Sequence, residues 1–318
     1  MYDYYVLIPV LIFAYRRPLH LKQCLDALAK CHDLRNFIIK VIVDGPKPSD
    51  SIENIKESIQ VASNHPIVEH LTCHDINKGL SHSIIEGVTK TLQHNSNIIV
   101  IEDDLIVNAD FLKFLSWGLK EYSNVDKVAS VQGFTLKSLI ARRNPYFMKG
   151  ADCWGWATWQ DRWCDIELNA KILIEALRSR NLTKQFDCYG LYPYTKMLQD
   201  NLEGKNDSWA IRWHATNFLL DRYSLCPPKS LVINFGNDGS GTHSRQYWPR
   251  LTEHRFQEVN LHNWKLPTKL PPSRISNFLS LTSFFIPFLG KYLQHIKYAF
   301  RHRFYLIRTI VKKKYNKG

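Results

Sequence analysis

Three short apolar runs, each about as long as one strand, alternate with amphipathic segments in the N-terminal third of the chain. The runs cover residues 6–13, 37–43 and 97–101. Such runs are typical of strands buried on both faces of a parallel sheet. The segments between them, which begin near Pro18, Ser51 and Ser81, carry apolar residues at helical spacing. This alternation predicts a doubly wound α/β fold with a mostly parallel central sheet and helices on both faces.

Polar residues follow each of these runs directly. Residues 15–17 (Tyr-Arg-Arg) follow the first, Asp44 follows the second, and residues 102–104 (Glu-Asp-Asp) end the third. In sheets of this kind, ligands bind at the carboxyl ends of the strands. We therefore expect these distant segments to meet at one edge of the sheet and to form a binding site there.

The acidic tripeptide Glu102-Asp103-Asp104 is the most informative of these features. Adjacent carboxylates at the end of a buried strand repel one another and resist desolvation, and a bound cation removes that cost. Mg²⁺ and Mn²⁺ prefer oxygen ligands, commonly one or two carboxylates together with substrate phosphates. The cluster Glu102-Asp103-Asp104 predicts such a metal site. The alternative is a solvated acidic turn.

The excess positive charge is confined to the C-terminal segment. The net charge is +13, but residues 259–318 contain 12 Lys and Arg and no Asp or Glu, so that the first 258 residues hold 30 basic and 29 acidic residues. This distribution argues against a nucleic-acid-binding body. It favours a tail that meets an anionic membrane surface.

The same tail has the pattern of an amphipathic helix. Its apolar residues follow a 4-3-4-4-3-4 spacing, which places them on one face of a helix, while most basic residues lie elsewhere. The pattern predicts a helix in the membrane interface, with packing on the enzyme body as the alternative. The apolar positions are Leu289, Leu293, Ile296, Phe300, Phe304, Ile307 and Val311.

The cysteine pattern indicates the redox environment in which the protein is expected to work. The chain has seven scattered cysteines and no Cys-x-x-Cys motif, which favours a reducing environment. The apolar run at residues 6–13 is short and has no basic segment before it, so it is expected to be a strand rather than a signal peptide. We predict a cytoplasmic protein attached peripherally to the inner face of the cell membrane.

Four segments, taken in order, resemble one enzyme family. They are residues 9–17 with residues 24–26 after them, residues 100–111 around the acidic tripeptide, residues 154–163 (beginning Trp-Gly-Trp), and residues 235–243 (Phe-Gly through Thr-His). The chain resembles the GT-A glycosyltransferases, and within them N-acetylglucosaminyltransferase I and its bacterial relatives. The resemblance spans about residues 6–245.

The resemblance implies roles for residues at the nucleotide end of the site. Arg17 and Asp44 would contact the nucleotide base. Asp103 would hold the ribose or a water of the metal, and Asp104 would bind the metal directly. Thr242 and His243 would lie on a closing loop that meets the donor phosphates, and the glycine-rich residues 236–241 suit such a loop. His243 could instead bind the metal or be an ordinary loop histidine.

The resemblance also implies roles in the aromatic-rich second half. The family inverts the anomeric centre and needs one general base. Its base-bearing segment resembles residues 206–209, where only Asp207 can serve; Asp152 is a weaker candidate, and the alternative is that Asp207 caps a helix. Trp154 and Trp156 would form a wall for the donor or acceptor sugar, or else belong to the core.

These observations predict a GT-A domain over residues 1–265, with a nucleotide-sugar half at 1–125 and an acceptor half at 126–265, followed by a membrane-associating tail at 266–318. The expected activity is metal-dependent, inverting transfer of a hexosyl or N-acetylhexosaminyl group from a nucleotide sugar, in particular a UDP-sugar. The expected acceptor is a glycan or a lipid-linked oligosaccharide in surface polysaccharide synthesis. The alternatives are a nucleotidyltransferase and an inactive carbohydrate-binding relative.

Overall fold

A computed structural model describes residues 7–135, 142–236 and 261–270. Its strands, in chain order, are β1 (Ile8–Ala14), β2 (Phe37–Val43), β3 (His70–Cys73), β4 (Asn97–Glu102), β5 (Leu105–Val107), β6 (Val128–Gln132), β7 (Tyr146–Lys149), β8 (Trp156–Trp159), β9 (Tyr223–Cys226) and β10 (Val232–Asn234).

The α-helices of the described residues lie between these strands along the chain. They are α1 (Pro18–Leu28), α2 (Ile52–Asn64), α3 (Leu80–Leu92), α4 (Phe111–Glu121), α5 (Gln160–Trp163), α6 (Ala170–Ser179), α7 (Thr183–Phe186), α8 (Tyr194–Leu202) and α9 (Trp209–Leu219).

Within the described residues, eight of the strands form one sheet in the order β3-β2-β1-β4-β8-β6-β9-β7. The first four are parallel to one another. Strand β8 then runs antiparallel to both β4 and β6, and β7 runs antiparallel to β9. A small antiparallel pair, β5 with β10, follows the end of β4. Because β1 to β4 are parallel, the polar residues that follow them lie at one edge of the sheet.

Helices cover both faces of this sheet, because alternate residues of each strand point in opposite directions. Val10 and Ile12 of β1 belong to a core shared with α1, α2 and α4. Leu11 and Phe13 of the same strand belong to a second core with α3, α5 and α9. A third cluster joins α6, α7, α8 and α9. The predicted α/β fold with a mostly parallel sheet and helices on both faces is therefore confirmed.

The segment at residues 261–270 packs back on the first core. The ring of Trp264 lies edge-on to Phe114 at 5.5 Å, and the Tyr122 hydroxyl donates to the Pro267 carbonyl at 2.7 Å. The predicted boundary at residue 266 falls inside this packed segment. The rest of the predicted amphipathic tail, residues 271–318, lies outside the described residues, and within those residues no helix is long and apolar enough to cross a membrane.

Candidate active site

The three acidic residues lie where the sequence predicts them, at the carboxyl end of β4. Backbone contacts fix their position, since Asp103 N donates to Phe13 O at 2.9 Å and the Asp104 carbonyl accepts from Phe235 N at 2.9 Å. Glu102 ends β4, opposite Phe13 of β1. The cluster is thus held between the ends of β1 and β4 and the strand β10 that precedes residue 235.

Arg17 pairs with two of these carboxylates. Its Nη2 donates to Asp103 Oδ1, and the same nitrogen lies 3.2 Å from Asp104 Oδ2. The guanidinium is 19% exposed, and the two carboxylates are 4% and 12% exposed. Asp103 also accepts from the backbone N–H of Tyr15 at 3.3 Å. The structure therefore brings Arg17 to the acidic edge, where its guanidinium contacts the carboxylates of Asp103 and Asp104.

Among the described residues, a single guanidinium pairs with this cluster of three adjacent carboxylates, which leaves them with excess negative charge. Burial, reinforced by Asp104 and Asp103, raises the pKa of Glu102 to about 8. Burial also raises the pKa of Asp103 to about 6, although Arg17 opposes the shift. The two raised pKa values mean that the carboxyl groups resist ionisation unless further positive charge binds beside them.

Asp104 has an oxygen that suits a cation. Within the described part of the chain, its Oδ1 is buried and has no hydrogen-bond partner. A buried carboxylate oxygen without a partner is costly, and a hard cation would satisfy it. In residues 7–135, 142–236 and 261–270 no group of three or more His, Cys, Asp and Glu side chains forms a complete metal cage. The residues thus fit a metal held by few carboxylates and completed by phosphate oxygens.

The first residue of the glycine-rich stretch lies against the same carboxylate. A Cβ at Gly236 would collide with Oδ2 of Asp104, so a larger residue at this position would displace that carboxylate. Gly236 N donates to Asn234 Oδ1 at 2.8 Å. The stretch therefore begins at the acidic cluster, whereas Thr242 and His243 lie outside the described residues.

Asp44 lies at the predicted edge, but its carboxylate holds a loop. Its two oxygens take part in five hydrogen bonds within the protein, from the backbone N–H groups of Gly45, Lys78 and Gly79 and the side chains of His74 and Asn77. The side chain is 9% exposed. Contact with a nucleotide base would have to replace one of these bonds.

Asp207 lies two residues before the start of α9, and Ser208, between them, caps that helix. The Ser208 hydroxyl accepts from Ile211 N at 3.3 Å, so the capping alternative for Asp207 is wrong. The Asp207 side chain is 74% exposed, and its Oδ1 lies 3.2 Å from Nη2 of Arg212. That nitrogen also donates to Ser81 Oγ, in the first turn of α3, at 2.6 Å. The pair links the start of α9 to the start of α3.

The two tryptophans of the predicted sugar wall have different environments. Trp156 is 0% exposed, and its ring packs among Trp163, Trp209 and Trp213 with centroids 5.3–6.0 Å away. It belongs to the core, so the wall is not its role. Trp154 is partly exposed and lies against Phe134 at 4.5 Å.

Asp152, the weaker candidate for the general base, lies toward the acidic edge of the sheet. Strand β8 pairs antiparallel with β4 so that Trp156, its first residue, lies opposite Val100; the segment that precedes β8 and carries Asp152 therefore lies toward the end of the sheet at which β4 ends. Burial, with Asp152, Glu102 and Asp104 nearby, raises the pKa of the Cys153 thiol well above its ordinary value. Only strand pairing reveals this proximity, because the two segments are far apart in sequence.

Comparisons with known proteins identify no family. No family model matches the chain, and no curated protein is significantly similar to it. Among solved structures, the chain shows partial similarity to residues 1–349 of TarS from S. aureus, with 13% identity and a TM-score of 0.34. That alignment covers 52% of this chain and 50% of the TarS chain, so the chain matches only half of that protein.

Two further solved structures are similar to a comparable degree. The mannosyltransferase PcManGT from Pyrobaculum calidifontis, solved with GDP-Man and Mn²⁺, has 13% identity over 67% of this chain and 69% of that chain, with a TM-score of 0.35. A UDP-glucose pyrophosphorylase complexed with UDP-glucose has 14% identity over 54% and 80%, with a TM-score of 0.31. With TM-scores this low, these likenesses do not bear on the function of the chain.

Proposed function

We propose that this protein is a metal-dependent glycosyltransferase that moves a sugar from a nucleotide sugar, in particular a UDP-sugar, to a hydroxyl group of a glycan. The observation that carries the proposal is the buried Oδ1 of Asp104, which has no hydrogen-bond partner among the described residues and lies among carboxylates at the carboxyl end of a parallel strand. This is the place at which doubly wound sheets bind nucleotides, and an uncompensated carboxylate there suits a cation–diphosphate pair.

Asp104 would bind Mn²⁺ or Mg²⁺ directly, and Asp103 would support it or hold the ribose. When bound, the metal would neutralise the charge that develops on the departing nucleoside diphosphate. Arg17, which now contacts both carboxylates, would be released in part by the metal and become available to the nucleotide. Gly236, packed on Asp104, would let the following loop, with Thr242 and His243, approach the phosphates.

Asp207 is the proposed general base for inverting transfer. Its carboxylate is exposed and is not used in capping α9, so an acceptor hydroxyl can reach it. It would take the hydroxyl proton while the acceptor oxygen bonds to the anomeric carbon and the diphosphate leaves with the electron pair.

The basic tail supports a location at the inner face of the cell membrane. Residues 259–318, which hold twelve Lys and Arg and no Asp or Glu, would bind anionic lipid. We therefore propose a lipid-linked glycan in surface polysaccharide synthesis as the acceptor. Deleting residues 271–318 should abolish sedimentation of the protein with anionic vesicles while nucleoside diphosphate release continues.

Turnover of nucleotide sugars tests the main proposal. We would measure nucleoside diphosphate release from a panel of UDP- and GDP-sugars with Mn²⁺ and with EDTA, for the wild type and for Asp104→Ala. Metal-dependent release from one donor, lost in the variant, is the expected result. Pyrophosphate-dependent formation of nucleoside triphosphate would instead identify a nucleotidyltransferase, and sugar binding without any donor turnover would identify an inactive relative.

A further inference from the structure

A column of aromatic rings leads from the core of the second half toward the acidic edge. His214 of α9 stacks on Tyr194 with centroids 4.4 Å apart, and Tyr194 in turn contacts Tyr192 at 4.4 Å. Phe186 packs beside His214 at 5.3 Å. His214 is buried, whereas Tyr192 and Tyr194 are partly exposed. The column therefore ends in a pair of tyrosine rings that reach the surface.

The base of this column is fixed to the segment that carries Asp152. Nδ1 of His214 lies 2.8 Å from the carbonyl oxygen of Ala151 and 3.2 Å from its nitrogen. Gly150 has a positive φ of 85°, and a Cβ there would meet the His214 ring. Since Asp152 follows directly, the tyrosine pair and the Asp152 carboxylate belong to one neighbourhood. Consistent with this, burial and the nearby groups Cys188, Tyr192 and Asp152 raise the pKa of Tyr194.

The turn before the tyrosine pair is built in a costly conformation. Cys188 and Tyr189 both have left-handed backbones, with φ of 49° and 59°, and Gly190 follows with φ of 90°. Asp187 anchors the turn, because its carbonyl accepts from Tyr192 N at 3.2 Å and its Oδ1 accepts from Thr195 N at 2.6 Å. Strained backbone of this kind persists where the surrounding structure enforces it, often at ligand sites.

Asp152 has the properties of a group that binds hydroxyls. It is partly exposed, and one oxygen accepts from Cys153 N at 2.6 Å. No cation within hydrogen-bonding distance of its carboxylate is found in the described residues, in contrast to Asp207 with Arg212. A carboxylate beside aromatic faces matches a pyranose, since the rings pack on its C–H groups and the carboxylate accepts from its hydroxyls.

We propose that Tyr192, Tyr194 and Asp152 form a pyranose subsite that binds the terminal sugar of the acceptor. This assignment rests on the proposed transferase function, and it replaces Trp156 as the aromatic surface of the acceptor site. Because the segment that carries Asp152 precedes β8 at the end of the sheet where β4 ends, the subsite would lie on the same edge as the proposed donor site.

Binding of simple glycosides tests the subsite without any donor turnover. The probes are the methyl α- and β-pyranosides of glucose, galactose, N-acetylglucosamine and rhamnose at millimolar concentration, with saturation-transfer NMR and calorimetric titration as readouts on the full chain. Tyr192→Ala should weaken binding about tenfold, while Tyr192→Phe, which keeps the ring, should stay within about twofold. Asp152→Asn should weaken binding about tenfold or more, because a charge-assisted hydrogen bond is lost.

Glu175→Gln, an exposed acid on α6, is the matched control and should bind as the wild type does. Absence of binding to every glycoside, or equal binding by wild type, Tyr192→Ala and Asp152→Asn, would overturn the subsite. Nucleoside diphosphate release is measured separately on the same samples. If glycoside binding responds to the variants but no nucleotide sugar releases nucleoside diphosphate, the transferase function is wrong and the pyranose site stands.

Discussion

Arg17 satisfies only half of the Asp104 carboxylate. Its Nη2 lies 3.2 Å from Oδ2, whereas Oδ1 is buried without a partner among the described residues. The guanidinium thus holds the acidic edge together while leaving one oxygen for a further cation. The first two predictions follow from this asymmetry.

Asp104→Asn should remove metal-dependent turnover without unfolding the protein. The amide keeps the size of the side chain but removes the charge that a divalent cation needs, and losing several kcal/mol of transition-state stabilisation lowers the rate by at least about a hundredfold. Nucleoside diphosphate release with Mn²⁺ measures the loss. Glu175→Gln on α6 is the control and should keep full activity; an Asp104→Asn variant as active as this control would refute the metal role.

Arg17→Met should destabilise the protein in a way that Mn²⁺ repairs. Removing the guanidinium leaves two nearly buried carboxylates uncompensated, at a cost of about 3 kcal/mol. A bound divalent cation would restore the balance and raise the unfolding temperature again. Thermal unfolding of the variant with Mn²⁺ and with EDTA measures both effects.

The neighbouring Arg16 supplies the control for that experiment. It is 47% exposed and pairs with Asp50, which also accepts from Lys47 N. Arg16→Met should cost at most about 1 kcal/mol, and Mn²⁺ should shift its unfolding no more than it shifts the wild type. Equal rescue of both variants by Mn²⁺ would argue against a cation site beside Arg17.

Asp44→Ala should loosen the loop at residues 74–79. The substitution leaves the N–H groups of Lys78 and Gly79 without their acceptors, which costs about 2–4 kcal/mol. Hydrogen exchange at these two amides should become much faster. Asp75→Ala, an exposed acid of the same loop, should leave exchange unchanged. If Asp44→Ala weakens nucleotide binding with exchange intact, Asp44 contacts the base instead.

His214 should make stability fall in mild acid. Burial lowers its pKa from 6.5 to about 4, so between these values the unfolded chain binds a proton that the folded chain does not. The contribution of neutral His214 to the free energy of unfolding is therefore fully present above about pH 6.5. It is lost as the pH falls toward 4, by about 3 kcal/mol in total.

Chemical denaturation across this pH range measures the effect. His214→Gln should have lower stability at neutral pH but a flatter dependence on pH than the wild type. Identical slopes for the two proteins would show that His214 is not the group responsible.

Asp207→Asn should lower kcat about 10²–10⁴-fold with little change in the KM for the acceptor, because a general base acts in the chemical step. Asp152→Asn should raise the acceptor KM instead. Steady-state kinetics with a saturating donor separate the two. If Asp152→Asn lowers kcat and Asp207→Asn does not, the base is Asp152.

The sequence by itself determined the parallel half of the fold. The strands β1, β2 and β4 and the helices α1, α2 and α3 lie within a few residues of the predicted segments. These elements are predictable because their signals are local: apolar runs, helical spacing and turn residues act over short stretches of chain. The acidic cluster at the end of β4 follows for the same reason.

Only the tertiary structure decided which polar and aromatic groups meet. Strand β8 enters between β4 and β6 from far along the chain, and this pairing buries Trp156, exposes part of Trp154 and brings Asp152 to the acidic edge. The loop at residues 74–79 engages the oxygens of Asp44. These outcomes depend on contacts between residues distant in sequence, whose geometry no local pattern encodes.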